Sequence, residues 1–169
     1  PKLLATKLES AAEVGKLSAG IRGHNMARAG VECAVWDLEA RLRNEPLWKR
    51  IGGGARPEIP CGVSIGIQDT VDDLLERIET ELNAGYQRIK LKIKPGWDMD
   101  VLRAVRQRFP SIQLTADANS AYTLADTEHL KCIDEFGLVY VEQPLSHDDI
   151  IDHAKLQQSL KTAICLDEC

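Results

Sequence analysis

Ile89-Lys90-Leu91-Lys92-Ile93-Lys94 alternates three large aliphatic residues with three lysines. A β-strand has a side-chain period of two, so the lysines share one face and the aliphatics the other. Taken alone, the stretch suits a solvated edge strand as well as an inward-facing one. The spacing downstream decides between them. Starting from Lys92, strand-like runs end at Asp117, Glu142 and Asp167, each 25 residues beyond the last. One lysine and three acids at a single period imply repeated strand-and-helix units that bring the same end of each strand to the same place.

The intervening segments carry the helices of those units. Thr70 with Asp73 opens Val71, Leu74, Leu75, Ile78 and Leu82 at helical spacing, closed by Gly85. A second helix runs from about Asp98 to Phe109, with Val101, Leu102 and Val105 on one stripe and Pro110 after it. Thr123 with Asp126 starts a third, reaching Gly137, and Ser146 with Asp149 caps a fourth. Strands are expected at Cys61 to Ile67, around the lysines, at Ile112 to Ala116, at Leu138 to Val141 and at Ala163 to Leu166. Upstream, Ala27, Val31, Ala34, Val35, Leu38 and Leu42 predict a helix from Asn25 with one buried stripe. His24 before it reads as a capping or surface residue, and Gly52-Gly53-Gly54 marks a boundary.

Strands that alternate with single helices are parallel and joined by right-handed crossovers, in either an open doubly wound sheet or a (β/α)₈ barrel. The barrel is favoured. No glycine-rich phosphate loop follows the first strand. Ser64, Lys92, Asp117, Glu142 and Asp167 also all fall toward the C-terminal ends of strands, which in a barrel form one rim. The fold expected is therefore α/β: part of a TIM barrel, about five parallel strands with their helices, preceded by a helical segment. Residues 1–54 form that lead-in and residues 55–169 the first part of the barrel.

Composition narrows the function classes. The 169 residues are 44% hydrophobic and 28% charged, with a net charge of −5 and no run of one sign. Nothing there favours a nucleic-acid or anionic-membrane partner. No apolar run approaches the roughly 18 residues of a membrane span. The five cysteines, Cys33, Cys61, Cys132, Cys165 and Cys169, lack CxxC spacing, and most have apolar neighbours in the sequence. They read as reduced thiols of a cytoplasmic protein.

Three carboxylates at neighbouring strand ends would repel one another in a partly desolvated mouth unless a cation sits among them. Hard oxygen donors suit Mg²⁺ best, with Mn²⁺ the alternative. For any one acid, an ion pair with a barrel lysine is the competing reading. A lysine beside a divalent ion acts as a general base when enough of it is neutral. The matching chemistry is abstraction of a proton next to a carboxylate, with the cation offsetting the enediolate charge.

Lys90-Leu91-Lys92, Asp117-Ala118-Asn119, Val141-Glu142-Gln143-Pro144 and Leu166-Asp167-Glu168 together resemble the successive strand-end motifs of the enolase superfamily, muconate-lactonizing-enzyme subgroup. Lys94-Pro95-Gly96-Trp97-Asp98 and the helix Gly23 to Ala29 leading to Ala34-Val35-Trp36-Asp37 are similar to o-succinylbenzoate synthases and N-acylamino acid racemases. The resemblance implies Lys92 as acid/base and Lys90 as its charge-tuning neighbour. It implies Asp117, Glu142 and Asp167 as Mg²⁺ ligands, Asn119 and Ser64 facing a small carboxylate substrate, and Glu168 as an acid behind the ligands. It also implies a dehydration yielding o-succinylbenzoate in menaquinone synthesis, racemisation or epimerisation as a related activity, and a homo-oligomeric enzyme. Cys169 departs from the serine common in relatives.

Two other readings stay open: a Schiff-base aldolase using Lys92 as an amine nucleophile, and a non-catalytic barrel piece serving as a binding or assembly module. A whole barrel takes about 250 residues, and 109 follow Pro60. The chain is therefore expected to be a fragment of a longer enzyme, lacking a capping domain and a sixth-strand lysine. Purified alone, the 169-residue chain should show no dehydratase turnover and should self-associate through its open sheet edges. Robust activity of that chain in a substrate assay would contradict this.

Overall fold

The computed structural model describes residues 7–54, 56 and 58–168; Cys169 lies outside them. Two compact units are present, Pro1–Ile59 and Pro60–Cys169.

The first unit is helical, with α1 (Glu13–Ser18), α2 (Asn25–Leu42) and α3 (Leu47–Arg50). Glu39 is its hub. Its carboxylate accepts from the Ala11 N–H (2.7 Å), from Arg43 Nε (3.1 Å) and from Arg50 Nη2 (2.5 Å). The Ala11 N–H and then the two guanidinium groups outweigh desolvation and hold its carboxyl below the usual range. The expected buried stripe on α2 is not buried: Val31, Leu38 and Leu42 are exposed, and only Ala40 is covered. Two short helices in this unit are too small to cover a stripe five turns long. His24 sits at the N-cap position in a left-handed conformation, φ 54°, exposed and without a side-chain cap bond.

The second unit contains β1 (Gly62–Ile65), α4 (Val71–Asn83), β2 (Arg88–Lys92), α5 (Met99–Arg108), β3 (Gln113–Asp117), α6 (Thr127–Leu130), β4 (Val141–Glu142), α7 (Ile150–Ser159) and β5 (Ile164–Cys165). The strands form one parallel sheet in the order β1-β2-β3-β4-β5. A doubly wound sheet reverses strand order at a switch point, whereas sequential order is the winding of a (β/α)₈ barrel. The alternation in β2 sets the two faces. Ile89, Leu91 and Ile93 are at most 3% exposed and join Leu74, Ile78, Leu102, Val105, Leu114 and Ala116 in the core beneath the helices, while Lys90 and Lys92 take the opposite face. Gly62 lies in close approach to β2, since a Cβ there would stand 2.9 Å from Arg88 Nε and 3.1 Å from its carbonyl oxygen.

Helix boundaries follow local chemistry. Asp73 N–H donates to Thr70 Oγ1 (3.1 Å) at the start of α4, and Asp98 caps α5. The third helix is not continuous: a 3₁₀ turn at Leu124–Asp126 precedes α6, and a 3₁₀ segment at Lys131–Phe136 follows it. Thr127 Oγ1 donates back to Leu124 O (2.6 Å), a competing bond that favours the tighter turn. Asp149, rather than Ser146, caps α7, because its carboxylate accepts from Asp152 N–H while Ser146 Oγ turns to Asp148. β4 and β5 are two residues each, shorter than expected. Among the described cysteines, Cys33, Cys61 and Cys132 are exposed and Cys165 is half-buried. Among the described residues no helix is long and apolar enough to cross a membrane.

Arg106 joins three carbonyls that lead into β3 and β4: Phe136 O (2.6 Å) from Nε, Ile112 O (2.8 Å) from Nη1 and Gly137 O (3.0 Å) from Nη2. A lysine ammonium cannot reproduce that planar fork. Arg106→Lys is therefore expected to lower unfolding free energy by about 1–3 kcal/mol; an unchanged urea midpoint would refute this.

Candidate active site

Parallel register builds the site. Lys92 is paired with Asp117, Asp117 with Glu142, and Glu142 with Cys165, so these four stand on one rung at the C-terminal end of the sheet. The 25-residue period matches register twice and then departs from it: β5 ends at Cys165, and Asp167 lies two residues past the rung, exposed. Ser64 lies two residues lower in the register, paired with Lys90 and exposed, below the level of Lys92.

Asp117 is 1% exposed and Glu142 6%. Their charge is answered from β2. Lys92 Nζ lies 2.6 Å from Asp117 Oδ2, and Lys90 Nζ reaches up from its lower rung to Glu142 Oε1 (2.9 Å) and Asp117 Oδ2 (3.2 Å). Burial works against the Asp117 anion, yet the bonds from Lys92, the Asn119 N–H and Lys90 outweigh it and hold the carboxyl below its usual range. For Lys90 the same contest ends with the ammonium favoured: desolvation opposes the charge, and Glu142 and Asp117 push its pKa up to about 12. Lys90 is thus a fixed positive charge at neutral pH. Burial, then the charges of Glu142 and Asp167, push the Cys165 thiol up, so it stays protonated.

Asn119 continues the network. Its N–H donates to Asp117 Oδ1 (3.0 Å), its Oδ1 accepts from Lys92 (2.5 Å), and its Nδ2 donates to Glu168 Oε1 (3.0 Å). Lys90, Lys92, Asp117, Asn119, Glu142 and Glu168 therefore form one connected array. Asp167 adjoins it through its N–H, which donates to Gln143 Oε1 (3.0 Å), and Ser64 makes no bond to it. Among the described residues no three His, Cys, Asp or Glu side chains come close enough together to hold a metal ion.

Two supporting groups escaped the sequence reading. Gln143 is fully buried, with φ 40°, and was visible only as the middle of Glu142-Gln143-Pro144. Asp98, in the loop after β2, accepts from Tyr122 Oη (2.8 Å) in the loop after β3 and bonds His129 Nε2 (2.7 Å), tying two rim loops together. No spacing rule exposes either one, because each acts between loops.

Residues 73–169 match the enolase C-terminal domain-like family, and residues 4–52 match the mandelate racemase/muconate lactonizing enzyme N-terminal domain. The second match thus lies within the segment read as a helical lead-in, residues 1–54. The chain is 57% identical over 168 residues to an o-succinylbenzoate synthase of Geobacillus kaustophilus, covering 99% of this chain and 44% of that protein. It is 52% identical over 168 residues to an N-succinylamino acid racemase of Thermus thermophilus, covering 99% and 45%. It therefore spans less than half the length of these curated relatives. An enolase-superfamily protein from Listeria innocua superposes with a TM-score of 0.89 at 45% identity, over 99% of this chain and 45% of that one. A racemase from Streptomyces coelicolor with bound magnesium superposes with a TM-score of 0.77 at 27% identity, over 94% and 49%. With the strand-end motifs, the sequential parallel sheet and these matches in agreement, the chain belongs to the enolase superfamily.

Proposed function

We propose that this chain carries the acid/base lysine and the metal-binding carboxylates of an o-succinylbenzoate synthase-type lyase, which removes a proton α to a substrate carboxylate and expels water. The observation that carries this reading is the rung itself: Lys92 in register with two buried acids, one of them 2.6 Å from its amine. Lys92 stands on the rung itself with its side chain about one-third exposed, and Lys90 sits two residues earlier in β2. Lys92 takes the α-proton once its ammonium has been released from Asp117 and has given up its own proton. Lys90 stays charged and offsets negative charge beside it. Asn119 and Ser64 face the substrate, and Glu168 steadies Asn119. A cytoplasmic, homo-oligomeric parent enzyme, with residues 1–54 leading from a capping domain, belongs to the same proposal.

The donor chemistry fits Mg²⁺: Asp117, Glu142 and Asp167 are hard carboxylate donors at adjoining strand ends, and the first two are buried with their charge compensated by ammonium groups. Holding the ion would require Lys90 to yield Glu142 and the Asp167 carboxylate to join the rung. When bound, Mg²⁺ supplies positive charge for an enediolate. Racemisation of N-acylamino acids is the second reading, favoured by the 52% identity to the Thermus racemase. It uses the same lysine and acids with a different fate for the carbanion.

Titration calorimetry on the full-length enzyme carrying this chain should detect Mg²⁺ binding that weakens at least tenfold in Asp117→Ala, as expected for loss of a ligand. Equal binding by both would remove Asp117 from the site. In the full-length enzyme carrying this chain, Lys92→Ala should slow exchange of the substrate α-proton with deuterium by about 10²–10⁴-fold. Retained exchange would instead point to a base elsewhere. Borohydride trapping on Lys92 with activity intact in EDTA would replace this mechanism with a Schiff base.

A further inference from the structure

We propose that Gln143 is a positioning residue: its side-chain amide fixes the segment bearing Asp167 and Glu168 against the rung of Lys92, Asp117 and Glu142. The need for such a device comes from the register. β5 ends at Cys165, so no ladder bond carries the chain on to Asp167, although the proposed site needs that carboxylate beside Glu142. Gln143 supplies the missing connection. Its Oε1 accepts from the Asp167 N–H (3.0 Å) and the Glu168 N–H (3.2 Å), doing with a side chain what the next strand residue would do with a carbonyl.

The other end of the amide is also committed. Nε2 donates to Leu145 O (3.2 Å) and Ser146 O (3.4 Å), and the side chain is fully buried. Two N–H groups face one end of the amide and two carbonyls the other. A carboxylate there would lose both donors and place a further negative charge near Asp167; an apolar side chain would take the amide from all four groups, of which Ser146 O keeps the Asp149 N–H as a partner. The main chain of Gln143 joins the same loops, with its N–H on Cys165 O (2.9 Å) and its carbonyl accepting from Ser120 N–H (2.8 Å). Its left-handed conformation, φ 40°, is uncommon for a residue with a side chain. From Gln143 the effect passes outward: Glu168 accepts from Asn119, and Asn119 accepts from the Lys92 amine.

This inference rests on the proposed metal site for its consequence, though not for its geometry, and the test separates the two. Amide hydrogen exchange and Mg²⁺ titration are measured on the full-length enzyme carrying this chain, as wild type, Gln143→Met and Gln157→Met. Gln157 is the control, because it makes the same kind of tie at the opposite end of β5: Oε1 accepts from Ile164 N–H (2.7 Å), and Nε2 donates to Leu160 O (3.2 Å) and Thr162 O (3.1 Å). Gln143→Met should speed exchange at Asp167 and Glu168 and weaken Mg²⁺ binding by about 10–100-fold, the range for loss of a group that orients a ligand. Gln157→Met should leave the Mg²⁺ affinity within about twofold, as for an independent site. Unchanged exchange at Asp167 and Glu168 in Gln143→Met, or an equal loss of affinity in both variants, would overturn the proposal. Wild type taking up no Mg²⁺ would remove the metal reading, and the exchange result alone would then decide. If Gln143→Met does not fold, Gln143→Glu, which keeps the acceptor, should retain protection at the two amides; loss of protection there would overturn the proposal as well.

Discussion

A carboxylate that is 1% exposed must be compensated where it stands, and Asp117 is compensated twice, by Lys92 at 2.6 Å and Lys90 at 3.2 Å. Burying an unpaired anion costs several kcal/mol or more, and a buried pair that loses one partner leaves the other charge stranded. The fold therefore has to deliver two ammonium groups to one point with little freedom. It does so through β2, whose aliphatic face is pinned in the core by Ile89, Leu91 and Ile93. With those three held under the helices, a one-residue slip of β2 would bury the lysines and expose the aliphatics, so register and charge compensation are fixed by the same packing.

The ends of β3 and β4 show what this arrangement demands of the backbone. Asn119, Ser120 and Gln143 all have positive φ, 42°, 63° and 40°, and none is glycine. Each such residue costs on the order of 1–3 kcal/mol and persists only where its surroundings over-determine it. Here they do. Ser120 N–H is held by Gln143 O, Asn119 N–H by Asp117, and the Asn119 side chain spans Lys92 and Glu168. Strain and hydrogen bonding are concentrated in the same few residues, at the end of the sheet where barrel enzymes place their chemistry.

That concentration explains which parts could be read from the sequence. The lysine ladder was readable because strand alternation is local and strict, and Asp117 and Glu142 were readable because two units of equal length keep register. Asp167 was half readable: the period found the residue, but β5 stops short, so its place depends on a glutamine side chain rather than on the sheet. Gln143, Asp98 and Tyr122 work between loops that meet only after folding, and no periodicity records such a meeting. The α2 stripe misled for the opposite reason. Apolar residues at helical spacing show that a helix forms; whether anything covers its face depends on neighbours the spacing does not describe, and among the described residues Leu38 and Leu42 remain exposed. The broken third helix turned on the Thr127 hydroxyl, a local competition that periodic patterns do not weigh.

The formal charges of the site bear on its chemistry. Asp117, Glu142, Asp167 and Glu168 contribute four formal negative charges against the two positive charges of Lys90 and Lys92, so the group on its own carries an excess of two negative charges. Such a site would repel a carboxylate substrate. A divalent cation among the acids would offset that excess. With Glu142 and Asp117 bonded to it, Lys90 is pushed up to about 12 and holds its charge. Lys92 is the lysine whose second partner is a neutral amide, Asn119, where Lys90 has a second carboxylate, Glu142. This asymmetry, set by register, gives different surroundings to two residues that look interchangeable in the strand.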